Sequence, residues 1–384
     1  MKNAVLLTGH FPQQKRRPSL LWVSDALQAD GWHVTHVTVG YSWLSQIITD
    51  RRLAALGYRP KPGTHILSPS LTAIYGLSPL HPFSTKNQTL DTLLRPAHGL
   101  FPAYWSGPLR APLAHADLVL IESGAPIMLA PLSRRLAPKA RLIYRVNDDI
   151  RLLGLPRFLS RLETKYAKYF DRISTASPHL ARRFKGFAPV SIDPMGIPHA
   201  RLKQTPKDPY GNRATYEAIC AGTTQLDIAA LTRIATARPN WRLHVIGRLK
   251  SEPPQLANLI FHGEQDFDTT LAYIAHADIA LAPYTDAPGI EYQTSNSNRI
   301  LLYRHFGLPI LGPDRLCHPS VPSIIGYGAP DALNRCETSP KRPEAIPDWA
   351  DLARRLTEHS PDQNPVQNPV TEPPFEVATP PANA

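Results

Sequence analysis

The sequence predicts an α/β chain of two Rossmann-like domains facing a cleft, followed by a disordered, Pro-rich tail. Three observations predict it. Short apolar runs, each of a length suited to a buried parallel strand, alternate with amphipathic helical segments. A stretch rich in Pro, Gly and Lys interrupts that alternation once, and the alternation restarts after it. The stretch from Asp278 to Pro309 reads as strand, polar loop, capped helix, glycine and strand, the unit that doubly wound sheets repeat. The boundaries that follow are 1–197 for a first domain, 198–212 for a linker, 213–345 for a second domain, 346–360 for a late helix and 361–384 for the tail.

In the first domain, AVLLT (4–8) reads as a strand in a segment with too little apolar length for a secretory leader. The loop GHFPQQKRRP that follows lacks the G-x-G-x-x-G of a dinucleotide site. It does place His10, Lys15, Arg16 and Arg17 at the carboxyl edge of the strand, where α/β folds bind ligands. Ser19 to Ala29 is a helix with Leu20, Val23 and Leu27 inward, and Val34 to Val39 is the next strand. Residues 41–112 show no clear period. Their aromatics, Tyr41, Trp43, Tyr75, Phe83, Phe101, Tyr104 and Trp105, read mainly as core; membrane contact by this Pro-broken basic segment is the alternative.

Regularity returns with the strand DLVLIES, which ends in Glu122 and Ser123. Pro126 to Leu136 reads as a helix disturbed at Pro131. The strand RLIYR (141–145) is followed by Asn147, Asp148 and Asp149, carboxylates where such enzymes carry chemistry or cap the next helix. Leu155 to Phe170 reads as an amphipathic helix with a basic stripe of Arg157, Arg161, Lys165 and Lys168. Arg172–Ser177 and Val190–Ile192 are further strands.

The second domain repeats the pattern: strand 217–222, helix 226–237, strands 242–247 and 259–263, and helix 268–276. The stretch from Asp278 then offers Ser295 to Asn298 as N-caps and Arg299 in the first turn, with Gly307 at C′. A capped helix start with an arginine, at the carboxyl edge of a sheet, suits a diphosphate; an ordinary crossover is the plainer reading. Asp266-Phe267-Asp268 has the spacing of a metal-holding D-x-D, but its place before Thr269 favours helix capping.

Composition bounds the function. The chain has 384 residues, 42% of them apolar, which suits two globular domains. Residues 1–200 hold 25 Lys+Arg against 11 Asp+Glu, a net +14, and the remainder restores the total of +11. A basic first half fits anionic lipid or a phosphorylated acceptor, and the absence of any nucleic-acid motif argues against DNA or RNA. No run approaches the roughly 20 apolar residues of a spanning helix. Cys220, Cys317 and Cys336, odd in number and without metal-like spacing, suggest a reducing compartment.

A set of segments in fixed order carries a resemblance. LLTGHF with KRRP, HPFSTK (81–86), LVLIESG (118–124), KARLIYRVNDD (139–149), HVIG (244–247), HGE (262–264), LAPY (281–284) and the Ser297–Gly307 helix closing in FGLP are similar to the two-Rossmann GT-B glycosyltransferases. Among these the chain most resembles the membrane-associated glucuronosyltransferase family of xanthan assembly. The resemblance implies inverting, metal-independent transfer of glucuronic acid from UDP-glucuronate to a polyprenyl-diphosphate-linked oligosaccharide. It implies no cofactor beyond the nucleotide sugar, and an enzyme held peripherally on the cytoplasmic face of the plasma membrane. It puts the catalytic base on Asp148 and donor contacts on Thr224, Glu264, Tyr284, Ser297, Asn298 and Arg299. His10, Lys15, Arg16, Arg17 and Glu122 fall on the acceptor and membrane side. The chain departs from the family pattern with Thr224, Asn298, Arg299 and Leu302, which puts the sugar donor in question; a GT-B enzyme using another nucleotide sugar and a non-catalytic GT-B-like membrane-associated binding protein are the alternatives.

Overall fold

The computed structural model describes residues 1–358 apart from 15–16, 48–52, 54–55, 205 and 250–251. Lys15, Arg16 and the tail 361–384 lie outside the described residues.

The first domain's strands are β1 (Asn3–Thr8), β2 (His33–Thr38), β3 (Gly63–Ser68), β4 (Leu71–Tyr75), β5 (Leu118–Glu122), β6 (Arg141–Val146), β7 (Arg172–Thr175) and β8 (Val190–Ile192). They form an eight-stranded sheet in the order β3-β4-β2-β1-β5-β6-β7-β8, parallel except that β3 pairs antiparallel with β4. The second sheet contains β9 (Tyr216–Ala221), β10 (Trp241–Ile246), β11 (Leu259–Gly263), β12 (Ile279–Leu281), β13 (Ile310–Gly312) and β14 (Ile324–Gly326). Its order is β11-β10-β9-β12-β13-β14, and its pairings are parallel. The central strands are apolar on both faces: Leu118 to Ile121 and Ile279 to Leu281 are all buried. That is the signature of a sheet covered by helices on both sides.

Strand order reverses between β1 and β5 in the first sheet and between β9 and β12 in the second. At such a switch point neighbouring connections depart to opposite faces, leaving a crevice at the carboxyl ends of the strands. The expected ligand-edge residues Glu122 and Tyr284 lie at these two places.

The chain crosses between domains twice, side by side. Ile197 bridges Asp348, and the Ile197 amide donates to the Pro347 carbonyl at 2.9 Å. Gly196 is required there, because a Cβ would stand 2.5 Å from the Asp348 carbonyl carbon. The late helix, Trp349–Thr357, starts from a capping box of Asp348 and Asp351 and returns to the first domain. Arg141 donates to the Thr357 carbonyl at 2.9 Å and Arg172 to the Arg355 carbonyl at 2.7 Å.

Local departures have local causes. The segment expected as one helix over 126–136 is a 3-10 turn, Ala125–Leu129, followed by the α-helix Ala130–Leu136. Pro131, which lacks an N–H, sits in the first turn of that second piece, where proline is tolerated. The basic helix spans Arg157–Tyr166 rather than 155–170, with Pro156 at its N-cap and a 3-10 turn after it. Arg157, Arg161, Lys165 and Lys168 are all exposed. Of the aromatics in 41–112, Tyr41, Tyr75, Phe101 and Trp105 are core, whereas Trp43 is exposed.

Candidate active site

At the first switch point a buried polar chain runs beneath the cleft. Thr8, ending β1, donates its hydroxyl hydrogen bond to Glu122, ending β5. Asn147 donates to Glu122 Oε1 at 3.2 Å and accepts at its Oδ1 from Arg145 Nε at 2.9 Å. Arg145, itself buried, reaches Ser174 at 2.9 Å and the Asp193 carbonyl at 2.8 Å. Burial raises the Glu122 pKa, opposed by the donors Thr8 and Asn147. His10 Nε2 lies 3.9 Å from Glu122, and its amide donates to Thr8 at 3.2 Å. Arg17 is ion-paired with Asp25 and lies over the Trp22 ring at 4.9 Å.

The two aspartates after β6 are separated by their partners. Asp149 is 1% exposed and caps the following 3-10 turn by accepting from the Arg151 amide at 3.0 Å. Burial alone would raise its pKa, but Arg151 and Arg183 outweigh that and hold it below the usual carboxylate range. Asp149 is therefore occupied structurally. Asp148 is only partly buried and accepts at Oδ1 from the Tyr292 hydroxyl of the second domain at 3.1 Å. The capping role falls on Asp149, and the contact with the second domain falls on Asp148.

At the second switch point Tyr284 is a hub. Its hydroxyl donates to Ser297 Oγ at 2.7 Å and accepts from Arg299 Nε at 2.9 Å, while its ring lies 3.9 Å from the guanidinium. Arg299 also donates to the Gly222 carbonyl at 2.6 Å and the Thr224 carbonyl at 3.3 Å. Tyr284, Ser297 and Arg299 are all at least nine-tenths buried. The sequence reads Arg299 as a cation offered to a diphosphate; here its guanidinium is engaged by Tyr284 and two strand-end carbonyls. The carbonyls that follow β9 face this helix and need donors, and Arg299 supplies them. The helix begins at Asn298 with Ser297, one of the expected N-cap candidates, at the N-cap position, but the Ser297 side chain is engaged by Tyr284 and makes no capping bond. Gly307 holds the C′ position at φ +70, as the sequence predicts.

The remaining predicted donor residues are not gathered into this hub. Thr224 and Asn298 have exposed side chains. Glu264, exposed just past β11, lines an interdomain pocket of about 440 Å3 with Gln14, Arg17, Arg201 and Asp266. Asp266 accepts from the Thr269 amide at 2.7 Å and caps the helix Phe267–His276, while Asp268 pairs with Arg201. Within the D-x-D segment, capping is thus the observed job of Asp266 and ion pairing that of Asp268. Among the described residues no group of three or more His, Cys, Asp or Glu side chains is placed to hold a metal ion.

The sequence reading missed Tyr292, Gln293 and Asn296. They lie on the stretch between β12 and the Asn298 helix, which has no period, and there the sequence offers Asn296 only as an N-cap candidate. Asn296 donates to the Asn147 carbonyl at 2.7 Å, so this stretch meets the first domain at two consecutive residues.

Known proteins resemble the chain at two levels. Residues 6–176 match the family described as glucuronosyltransferase GumK, N-terminal domain. The UDP-glucuronate:glycolipid 2-beta-glucuronosyltransferase of Xanthomonas campestris pv. campestris is 25% identical over 362 residues, covering 92% of this chain and 89% of that protein. Among solved structures, the N-terminal domain of Candida albicans trehalose-6-phosphate phosphatase superposes with a TM-score of 0.57 at 11% identity, covering 93% of this chain and 92% of that one. A UDP-forming α,α-trehalose-phosphate synthase from Burkholderia xenovorans gives 0.55 at 12% identity, covering 92% and 94%. These structural likenesses speak to fold. With the two largely parallel sheets, their switch points and the sequence relationship, they identify the chain as a glycosyltransferase of the GT-B fold that resembles the glucuronosyltransferases.

Proposed function

We propose that the enzyme transfers glucuronic acid from UDP-glucuronate, with inversion and without a metal, to a polyprenyl-diphosphate-linked oligosaccharide. The observation that carries this reading is one of placement. The loop that carries Tyr292 and Ser297 and leads into the helix of Arg299 at the second switch point also touches Asp148 at the carboxyl edge of the first sheet. An acceptor hydroxyl in the cleft attacks the anomeric carbon from the face opposite UDP. The bond to the β-phosphate oxygen breaks, and Asp148 takes the hydroxyl proton. The start of the helix Asn298–His305 faces the developing charge on UDP. Thr224, Glu264 and Asn298 contact the donor through exposed side chains, and the buried hub of Tyr284, Ser297 and Arg299 holds the strand-end carbonyls and the helix start that face it. His10, Arg17 and Glu122 line the acceptor side.

Two surface features support a peripheral place on anionic lipid. Leu90, Leu93, Ala97 and Leu100 share one exposed face at the helix Gln88–Gly99. The buried His98 of this helix stacks on Phe158 at 5.8 Å, which sets the helix beside the one that carries Arg157, Arg161 and Lys165, with Lys168 on the 3-10 turn that follows it. No helix among the described residues is long and apolar enough to cross a membrane.

One observation favours a second donor. The Arg299 guanidinium is already engaged by Tyr284, Gly222 and Thr224, so a uronate carboxylate gains no ready partner there, and a neutral nucleotide sugar is the other reading. Transfer of radiolabelled sugar from UDP-glucuronate and UDP-glucose to a membrane extract decides between them. In the same assay Asp148→Asn should lose about 10²–10⁴-fold in turnover with UDP affinity unchanged. Wild-type turnover by Asp148→Asn, or loss confined to Asp149→Asn, rejects the assigned base.

A further inference from the structure

We propose that Tyr292 is a positioning residue of the reaction, one that aims the Asp148 carboxylate from the opposite domain. This rests on the reading of Asp148 as the base. Tyr292 is 2% exposed and lies on the short 3-10 turn Ile290–Tyr292 of the second domain. Its hydroxyl has one proton to give and lone pairs to receive with. It gives the proton to Asp148 Oδ1 at 3.1 Å and accepts from Gln293 Nε2 at 2.7 Å. The result is a directed chain, Gln293 to Tyr292 to Asp148, that stabilises the ionised carboxylate. The ring is held by His179, whose ring centroid lies 6.5 Å away, and the turn sits against Leu152 through Gly289. Gly289 has φ +92, and a Cβ there would press on Leu152 at 3.3 Å, so the approach of this turn to the first domain depends on glycine.

The position of the contact gives it a further consequence. Four residues after Tyr292, Asn296 donates to the carbonyl of Asn147, the neighbour of Asp148. The next residue, Ser297, belongs to the Tyr284 and Arg299 hub. A single stretch therefore connects the donor end of the second domain to the base of the first. Movement of the domains apart would break the Tyr292 bond, so the base is fully oriented only when the cleft is closed. The other ionisable groups around this contact are engaged elsewhere. Asp149 is held by Arg151 and Arg183, and Glu291 by Arg315. His179 is kept neutral to lower pH than usual, first by burial and then by Arg182.

The test uses the full-length enzyme, the Tyr292→Phe variant, and the pH profile of turnover. Phenylalanine keeps the ring and removes the proton donor. We expect UDP affinity within about twofold of wild type and kcat lowered about ten- to a hundred-fold, the range for one lost charge-assisted hydrogen bond. The acid limb of the profile should move to higher pH, because a carboxylate that loses a donor holds its proton more tightly. In the Asp148→Asn background the same substitution should cost nothing further, since it acts through that carboxylate. Gln293→Met leaves the tyrosine in place and should move the acid limb the same way by less, which keeps the proposal testable if Tyr292→Phe does not fold. An unshifted acid limb, unchanged kcat, or an equal loss in the Asp148→Asn background overturns the proposal. An active Asp148→Asn single variant instead removes the base itself, so the two failures are distinguishable.

Discussion

Replacing Arg299 by alanine tests how the second domain builds its donor edge. The side chain gives hydrogen bonds to Tyr284 at 2.9 Å, to the Gly222 carbonyl at 2.6 Å and to the Thr224 carbonyl at 3.3 Å. Hydrogen bonds involving a charged group contribute about 1.5–3 kcal/mol each. The guanidinium also lies 3.9 Å from the Tyr284 ring centroid, a desolvated cation–π contact of about 2 kcal/mol. These terms share partners and do not add. Thr224 is exposed, so water can replace its lost donor. A net destabilisation of about 3–5 kcal/mol follows, which lowers Tm by about 10 °C for a domain of this size. Binding should weaken about tenfold or more for UDP, UDP-glucose and UDP-glucuronate alike, because the strand-end loop loosens and no sugar contact is removed. Differential scanning fluorimetry and calorimetric titration with the three ligands measure this. A Tm change below about 2 °C would show that the buried network is not what Arg299 supports. Selective loss of UDP-glucuronate with UDP unaffected would show that the guanidinium grips the uronate carboxylate after all.

Three further predictions concern other parts of the molecule. His36 is fully buried, its ring nitrogen Nε2 lies 3.0 Å from the His10 carbonyl, and burial pushes its pKa from 6.5 to about 4. Its depressed pKa means that the stability it contributes is present above pH 6.5 and is lost as pH falls toward 4. The shift corresponds to about 3 kcal/mol, and urea titrations across that range should show His36→Gln with a flatter pH dependence than wild type. Turnover should survive EDTA and gain nothing from added manganese or magnesium, since Asp266 is committed to its helix cap; restoration of activity by either ion would overturn this. Liposomes with anionic lipid should retain the enzyme at low salt and release it at high salt. Leu90→Asp with Leu93→Asp should weaken that retention about tenfold or more, because each exposed leucine gains about 1.5–3 kcal/mol when buried; unchanged retention would place the membrane face elsewhere.

The sequence by itself determined much of the architecture: two βα arrays, their strands other than β3, β4 and β14, the helix closing at Gly307 and the capping role of Asp266. These are legible because they depend on local periodicity, on residues such as Gly and Pro that restrict the backbone, and on capping within three residues. The resemblance of scattered motifs supplied Asp148 and the donor residues as candidates. What only the tertiary structure decided is which of them touch. Asp148 and Asp149 are indistinguishable in the string YRVNDD; Arg151 and Arg183 take one, and Tyr292 takes the other from 144 residues away. Arg299 reads as a cation at a helix start, yet it is turned inward by the carbonyls of Gly222 and Thr224, which precede it by 77 and 75 residues. Tyr292 and Gln293 carry no motif, and Asn296 reads only as a possible N-cap. Their roles come from the closure of two domains against each other, and a contact of that kind has no period for a sequence to display.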